Sequence, residues 1–114
     1  MRFNYGSNGA MGITNVGTDE WTYGDQPARQ DNDVLALGKY NTLSTDNGAL
    51  LTPWNRSYSH INLANAVVEF APGVDMDAAA KTRIIAEARY LRAQYYMLLV
   101  QQFGAVRLTW AAVN

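Results

Sequence analysis

Few residues of this chain have the types and spacing that chemistry requires. His60 is the one histidine, and there is no cysteine. A metal site draws its ligands from several converging His, Cys or acidic side chains, and His60 has no second histidine or thiolate to join it. Its place beside Ile61 on an apolar-periodic segment reads as a packed or surface histidine. Asp31 with Asp33, and Asp75 with Asp77, have the alternate-acid spacing that opens a calcium loop. The glycine and closing glutamate of that loop do not follow either pair. Capping the next helix is the role expected of Asp77. Asp19 and Glu20 are adjacent carboxylates in a loop, which does not make an acid–base pair. Glycines 6, 9, 12 and 17 form no phosphate-loop pattern, and no lysine follows them. No catalytic residue, metal or cofactor is expected, and the chain does not read as an enzyme.

Binding is better represented. Three Trp, seven Tyr and three Phe make 11% of the residues. Trp54, Tyr58, Tyr90, Tyr95 and Tyr96 fall at packing positions of helical segments. Trp21 and Tyr23 do not: they lie in "GTDEWTYGDQPAR", among Asp19, Glu20, Gln26 and Arg29 and far from any helical pattern. An aromatic face beside planar hydrogen-bonding groups suits a sugar, which stacks its C–H face and exchanges hydrogen bonds through its hydroxyls. Trp21, with Asp19, Tyr23 and Arg29 around it, is the candidate glycan site. The competing role for Trp21 is to anchor its loop on the core.

Composition narrows the rest. The 114 residues suffice for one modest domain, with 48% apolar and 17% charged side chains and a net charge of −1. The nine basic residues are scattered, so the clustered positive surface that nucleic acid selects is missing. No stretch reaches the roughly 18 apolar residues of a membrane span. "MRFNYGSNGAMG" lacks the apolar core of a secretion signal, which places any export signal outside this sequence.

Two unlike parts must position these residues. Residues 1–52 are rich in Gly, Asn, Thr and Asp, with turn-favouring Asn-Gly at 8–9 and 47–48. They read as loops with short helical or extended pieces around Val34 to Leu43. Residues 53–114 read as a helical hairpin. Thr52 is the expected cap and Pro53 the first helical residue. Trp54, Tyr58, Ile61, Asn65 and Val68 recur at steps of four, three, four and three along one face, until Pro72 and Gly73 end the helix near residue 70. Asp77 caps a second helix over 78–103, about 39 Å long at 1.5 Å per residue, which Gly104 terminates. "AVRLTW" leaves it as an extended exit.

The second helix is apolar around most of its circumference. Arg83, Glu87, Gln94 and Gln101 form a narrow polar stripe. Ile84, Ile85, Ala88, Leu91, Tyr95, Leu98 and Leu99 fill one flank, and Ala86, Tyr90, Ala93, Met97 and Val100 the other. Such a helix expects neighbours on several sides. One preceding helix does not cover both flanks, so the chain reads as incomplete. Arg89 and Arg92 have no carboxylate three or four residues away, and their partners are expected elsewhere in the fold or on helices this chain lacks.

"AEARYLRAQYYMLLVQQFGAVRL" resembles the signature of SusD/RagB-like proteins, surface glycan-binding lipoproteins of Bacteroidetes-type bacteria. Glu87, Ala88, Arg89, Tyr90, Leu91, Arg92, Ala93, Tyr96, Phe103, Gly104, Val106 and Leu108 match that signature, and Trp54, Tyr58, Ile61, Ala64 and Asn65 match the spacing upstream. Gly17–Glu20, "GTDE", resembles a frequent feature of the family's N-terminal region. Ala105 and Arg107 depart from the usual Asp and Pro. Ala86, Tyr90 and Ala93 also reproduce the small–aromatic–small spacing of a tetratricopeptide second helix, although the loop between the helices is longer than that repeat allows.

The resemblance implies a mainly α-helical fold, in which a tetratricopeptide-like hairpin preceded by a loop-rich segment forms an incomplete, N-terminal part of a SusD-like domain. It implies oligosaccharide binding and nutrient uptake at the outer membrane with a SusC-like TonB-dependent transporter. Trp54, Tyr58, Asn65, Glu87, Arg89, Tyr90, Arg92, Phe103 and Gly104 would be scaffold. The lipid anchor of such a protein would lie outside this sequence. The alternative is a helical-repeat scaffold for protein–protein interaction that binds no sugar. If Trp21 stacks on a glycan, Trp21→Ala weakens calorimetric binding by about 1–3 kcal/mol and leaves the melting temperature in place. A core anchor gives the reverse.

Overall fold

A computed structural model describes residues 10–20, 32–40 and 43–112. The chain is mainly α-helical, and no strand occurs among the described residues. Contacts divide it into two compact units, Met1–Pro53 and Trp54–Asn114.

The first unit holds more helix than its turn-rich composition suggests. Helix α1 spans Ala10–Asn15 and α2 spans Asn32–Lys39, and the two pack on each other. Gly17, at φ 95°, turns the chain out of α1, and its carbonyl accepts a 3.2 Å hydrogen bond from the Tyr40 hydroxyl. Tyr40 itself has φ 53° and ends α2 with its amide on the Ala36 carbonyl at 3.0 Å. Val34 and Ala36 are buried.

Helix α3 runs over Gly48–Phe70, five residues earlier than Pro53 suggests. The cap is Asn47 rather than Thr52. Its Oδ1 accepts from the Ala49 amide at 3.0 Å, while its Nδ2 donates to the Asp33 carbonyl at 2.9 Å. The Asn-Gly pair at 47–48 therefore starts a helix instead of making a turn. A Cβ at Gly48 would stand 2.6 Å from the Asp33 carboxylate oxygen that accepts from its amide at 2.9 Å, so a larger residue would have to push that carboxylate aside. Asp33, weighed as a calcium ligand, is committed to this contact. Pro53 sits inside α3 and supplies no N–H to the Ala49 carbonyl. Thr52 turns inward, donating its hydroxyl to the Gly48 carbonyl at 2.6 Å.

In the second unit α3 continues to Phe70 and yields to a 3-10 turn, Ala71–Gly73. Helix α4 occupies Ala78–Phe103, with the Asp77 carboxylate accepting from the Ala80 amide at 2.9 Å. Gly104 closes it at φ 76°, a conformation that favours glycine, with its amide on the Val100 carbonyl. Residues 106–110 follow without regular structure. Ile61 and Ala64 of α3 are buried with Ala88 and Leu99 of α4, so the periodicity of Trp54, Tyr58, Ile61, Asn65 and Val68 did mark the inner face.

The two flanks of α4 fare differently. Ala88 and Leu99 of the first flank lie inside, though Ile84 and Leu91 beside them are exposed, whereas on the other flank Tyr90 is 68% exposed and Met97 and Val100 are also open. Tyr90 is not a core residue of this chain. A single helix about 10 Å across covers one arc of its neighbour, and α3 covers the arc that holds Ala88 and Leu99. Leu99→Ala is expected to cost about 2–5 kcal/mol through its cavity. Tyr90→Ala, on the open flank, is expected to cost under about 0.5 kcal/mol. Urea midpoints of the two variants check this, and equal shifts would contradict it.

Candidate functional site

Several of the scaffold residues lie about the segment that follows Gly104. Trp54 meets the Phe103 ring edge-on at 5.1 Å and the Tyr58 ring at the same centroid distance, tilted by 52°. The Tyr58 hydroxyl donates to the Arg107 carbonyl at 2.9 Å. Farther along, the Tyr96 hydroxyl accepts from the Thr109 amide at 2.7 Å and lies 3.1 Å from both the Thr109 carbonyl and its Oγ1. The Ala112 amide donates to Glu69 Oε2 at 3.1 Å. Residues 107–112 thus form a strap that runs along α3 from Tyr58 towards Glu69.

Asn65 holds the strap. It is fully buried, and its Nδ2 donates to the Thr109 and Ala111 carbonyls at 3.2 and 3.1 Å. Those carbonyls are two residues apart, so an extended backbone turns both to the same side. Asn65 Oδ1 accepts from Arg92 Nη1 at 2.8 Å. A carboxamide is one of the few side chains that donates twice and accepts as well, and all three contacts are used. No buried side-chain polar atom among the described residues lacks a partner.

Arg92 therefore finds its partner within the chain, on α3. Its guanidinium also lies 5.0 Å from the centre of the Trp110 ring, in cation–π range. Arg89 and Tyr90 are exposed, as is Glu87. Glu87 accepts from Arg83 Nε at 2.8 Å; that hydrogen bond, and then the charge behind it, push the Arg83 guanidinium up from its ordinary value. An open ion pair one helical turn apart contributes little. Of the nine scaffold residues, Tyr58 and Asn65 bond the strap, Arg92 stands behind Asn65 and over Trp110, Trp54 packs on Tyr58 and Phe103, and Gly104 precedes the strap.

The other candidates are placed less fully. Asp19 is exposed, while Trp21, Tyr23 and Arg29 lie outside the described residues. His60 stacks on Tyr95 at 4.7 Å and 18°, with Nδ1 donating to the Arg56 carbonyl at 2.6 Å. It lines an open groove of about 250 Å³ with Leu63, Ala64, Val67, Leu91 and Tyr95, a lining with little to orient a substrate. No set of acids and histidines among the described residues could hold a metal ion, and no helix there is long and apolar enough to cross a membrane.

Sequence reading missed Glu69 and Trp110. Neither sits in a periodic pattern, and both act on a segment without regular structure. The strap gives a sharp expectation for Asn65→Asp. The change adds a formal ion pair with Arg92 but turns two donors into an acceptor facing two carbonyls. Net destabilisation of about 2–4 kcal/mol is expected, against under about 0.5 kcal/mol for Arg89→Ala. Denaturation midpoints above pH 6 measure both; a stabilised Asn65→Asp variant would mean the carbonyls are not seated there.

Comparison with family models, with curated proteins and with solved structures finds no match, so the reading of function rests on the residues themselves.

Proposed function

We propose that the chain is part of a SusD/RagB-like protein that binds oligosaccharide at the bacterial outer membrane and passes it to a SusC-like TonB-dependent transporter. In this reading the hairpin of α3 and α4 is a tetratricopeptide-like scaffold, and glycan is held by ring stacking and hydrogen bonds with no covalent step. One observation carries most of the weight. The signature residues Tyr58, Asn65 and Tyr96, far apart in sequence, all bond the backbone of the strap after Gly104, with Arg92 behind Asn65 and Trp54 packed on Tyr58 and Phe103. A motif read from the sequence alone thereby acquires a joint structural role, and that supports the resemblance.

A second reading is a protein-binding helical scaffold, favoured by the open flank of Tyr90, Met97 and Val100. Contiguous apolar surface of this kind marks interaction sites. A glycosidase would need two carboxylates set across a bond, and Asp19 and Glu20 are neighbours in the chain.

Native electrophoresis through gels containing soluble starch, laminarin, xylan, pectic galactan or mucin separates these readings. Retarded migration in at least one gel is expected, with no new reducing ends after prolonged incubation. Unretarded migration in all of them would contradict glycan binding. Release of reducing ends, abolished by Asp19→Asn or Glu20→Gln, would make the protein an enzyme.

A further inference from the structure

Trp110 is 67% exposed, yet its surroundings leave it little freedom. The residue before it is tied through its amide and carbonyl to Tyr96 and Asn65, and the residue after it through its carbonyl to Asn65. One residue further, Ala112 is tied to Glu69. The guanidinium of Arg92 stands against the ring. Many exposed apolar side chains, Tyr90 and Met97 among them, project from a helix flank, while Leu108 shares the strap. Trp110 is instead an indole on an irregular strap whose backbone is fastened on both sides.

An exposed side chain held in this way loses little conformational entropy when a ligand covers it. It presents a broad, flat apolar face, and a group that bonds hydroxyls, the Arg92 guanidinium, stands over the ring. Arg92 has five N–H donors, of which Asn65 takes one. A flat apolar face with guanidinium donors close behind it matches a pyranose ring, which has a C–H face and a rim of hydroxyls. A purely apolar partner would have no use for the guanidinium.

We propose that Trp110 is a sugar-stacking platform, with the Arg92 guanidinium over one face of its indole and a pyranose unit of an oligosaccharide as the ligand of the other. The proposal rests on the glycan-binding reading above and assigns that reading a site.

The test is calorimetry of the full chain with maltohexaose, cellohexaose, xylohexaose and laminarihexaose, beside Trp110→Ala and Trp110→Phe. Binding of at least one hexaose is expected, weakened about 10- to 100-fold in Trp110→Ala and only a few-fold in Trp110→Phe, which keeps a ring over Arg92. Urea midpoints show that both variants are folded; if Trp110→Ala is not, the few-fold loss in Trp110→Phe decides. Acrylamide quenching supplies a second readout: wild-type tryptophan emission is expected to be readily quenched, less so with the hexaose bound, and the protected share is expected to vanish in Trp110→Phe. Unchanged affinity in folded Trp110→Ala would overturn the platform and leave glycan binding standing at another place. Failure of the wild type to bind any hexaose, together with unretarded migration in every polysaccharide gel, would overturn both. Wild-type emission that resists acrylamide as strongly as that of Trp110→Phe would show the ring covered and would also overturn the platform.

Discussion

The Asn65 carboxamide joins three parts of the second unit: α3, α4 and the strap. Its two N–H groups take carbonyls of the strap, and its oxygen takes the guanidinium of α4. Buried at the inner face of α3, each of these polar groups would be costly without its partner. The strap has no sheet to hydrogen-bond with, and its carbonyls at 109 and 111 would otherwise need water. Arg92, brought against the apolar interior by its position near Ala88 and Leu99, would lack an acceptor. One side chain resolves both demands. It also fixes where the strap lies, and therefore where Trp110 stands.

The rest of the second unit is arranged around that constraint. Tyr58 and Tyr96 reach the strap from α3 and α4, each with an aromatic body in the apolar layer and a hydroxyl on a backbone group. Such side chains bury area while keeping a polar tip partnered. Trp54 and Phe103 close the end where α4 gives way to Gly104. The contacts to the strap go mostly to its backbone, so the position of the segment is set with little demand on its side chains. That leaves the exposed Trp110 side chain with little part in holding the strap.

Much of this architecture was legible in the sequence. Asp77 and Gly104 bracket α4 because a carboxylate cap and a positive-φ terminator are local devices that need no tertiary partner. The inner face of α3 followed from period, since Ile61 and Asn65 share it with Trp54 and Tyr58. The start of α3 was misjudged for an equally local reason. Pro53 is a good first residue, but Asn47 offers a better cap once Asp33 is present to hold its amide, and that partner lies 14 residues away. Tyr90 was misjudged because an apolar flank shows which surface could be buried, and not whether a neighbour reaches it. The partner of Arg92 was hidden as well, because a neutral Asn on another helix leaves no charge pattern to read. The glycan-site residues Trp21, Tyr23 and Arg29 rest on composition and local context.

Amide hydrogen exchange at Thr109 tests the central claim most directly. Its N–H donates to the Tyr96 hydroxyl within the segment Asn65 holds, and no helix or sheet otherwise protects it. If the strap is clasped as described, this amide exchanges as slowly as the amide of Leu99 in the core of α4, because both open only when the hairpin opens. Exchange at the rate of a free peptide, with the Leu99 amide still protected, would show that the strap is loose on an intact hairpin and would contradict the account.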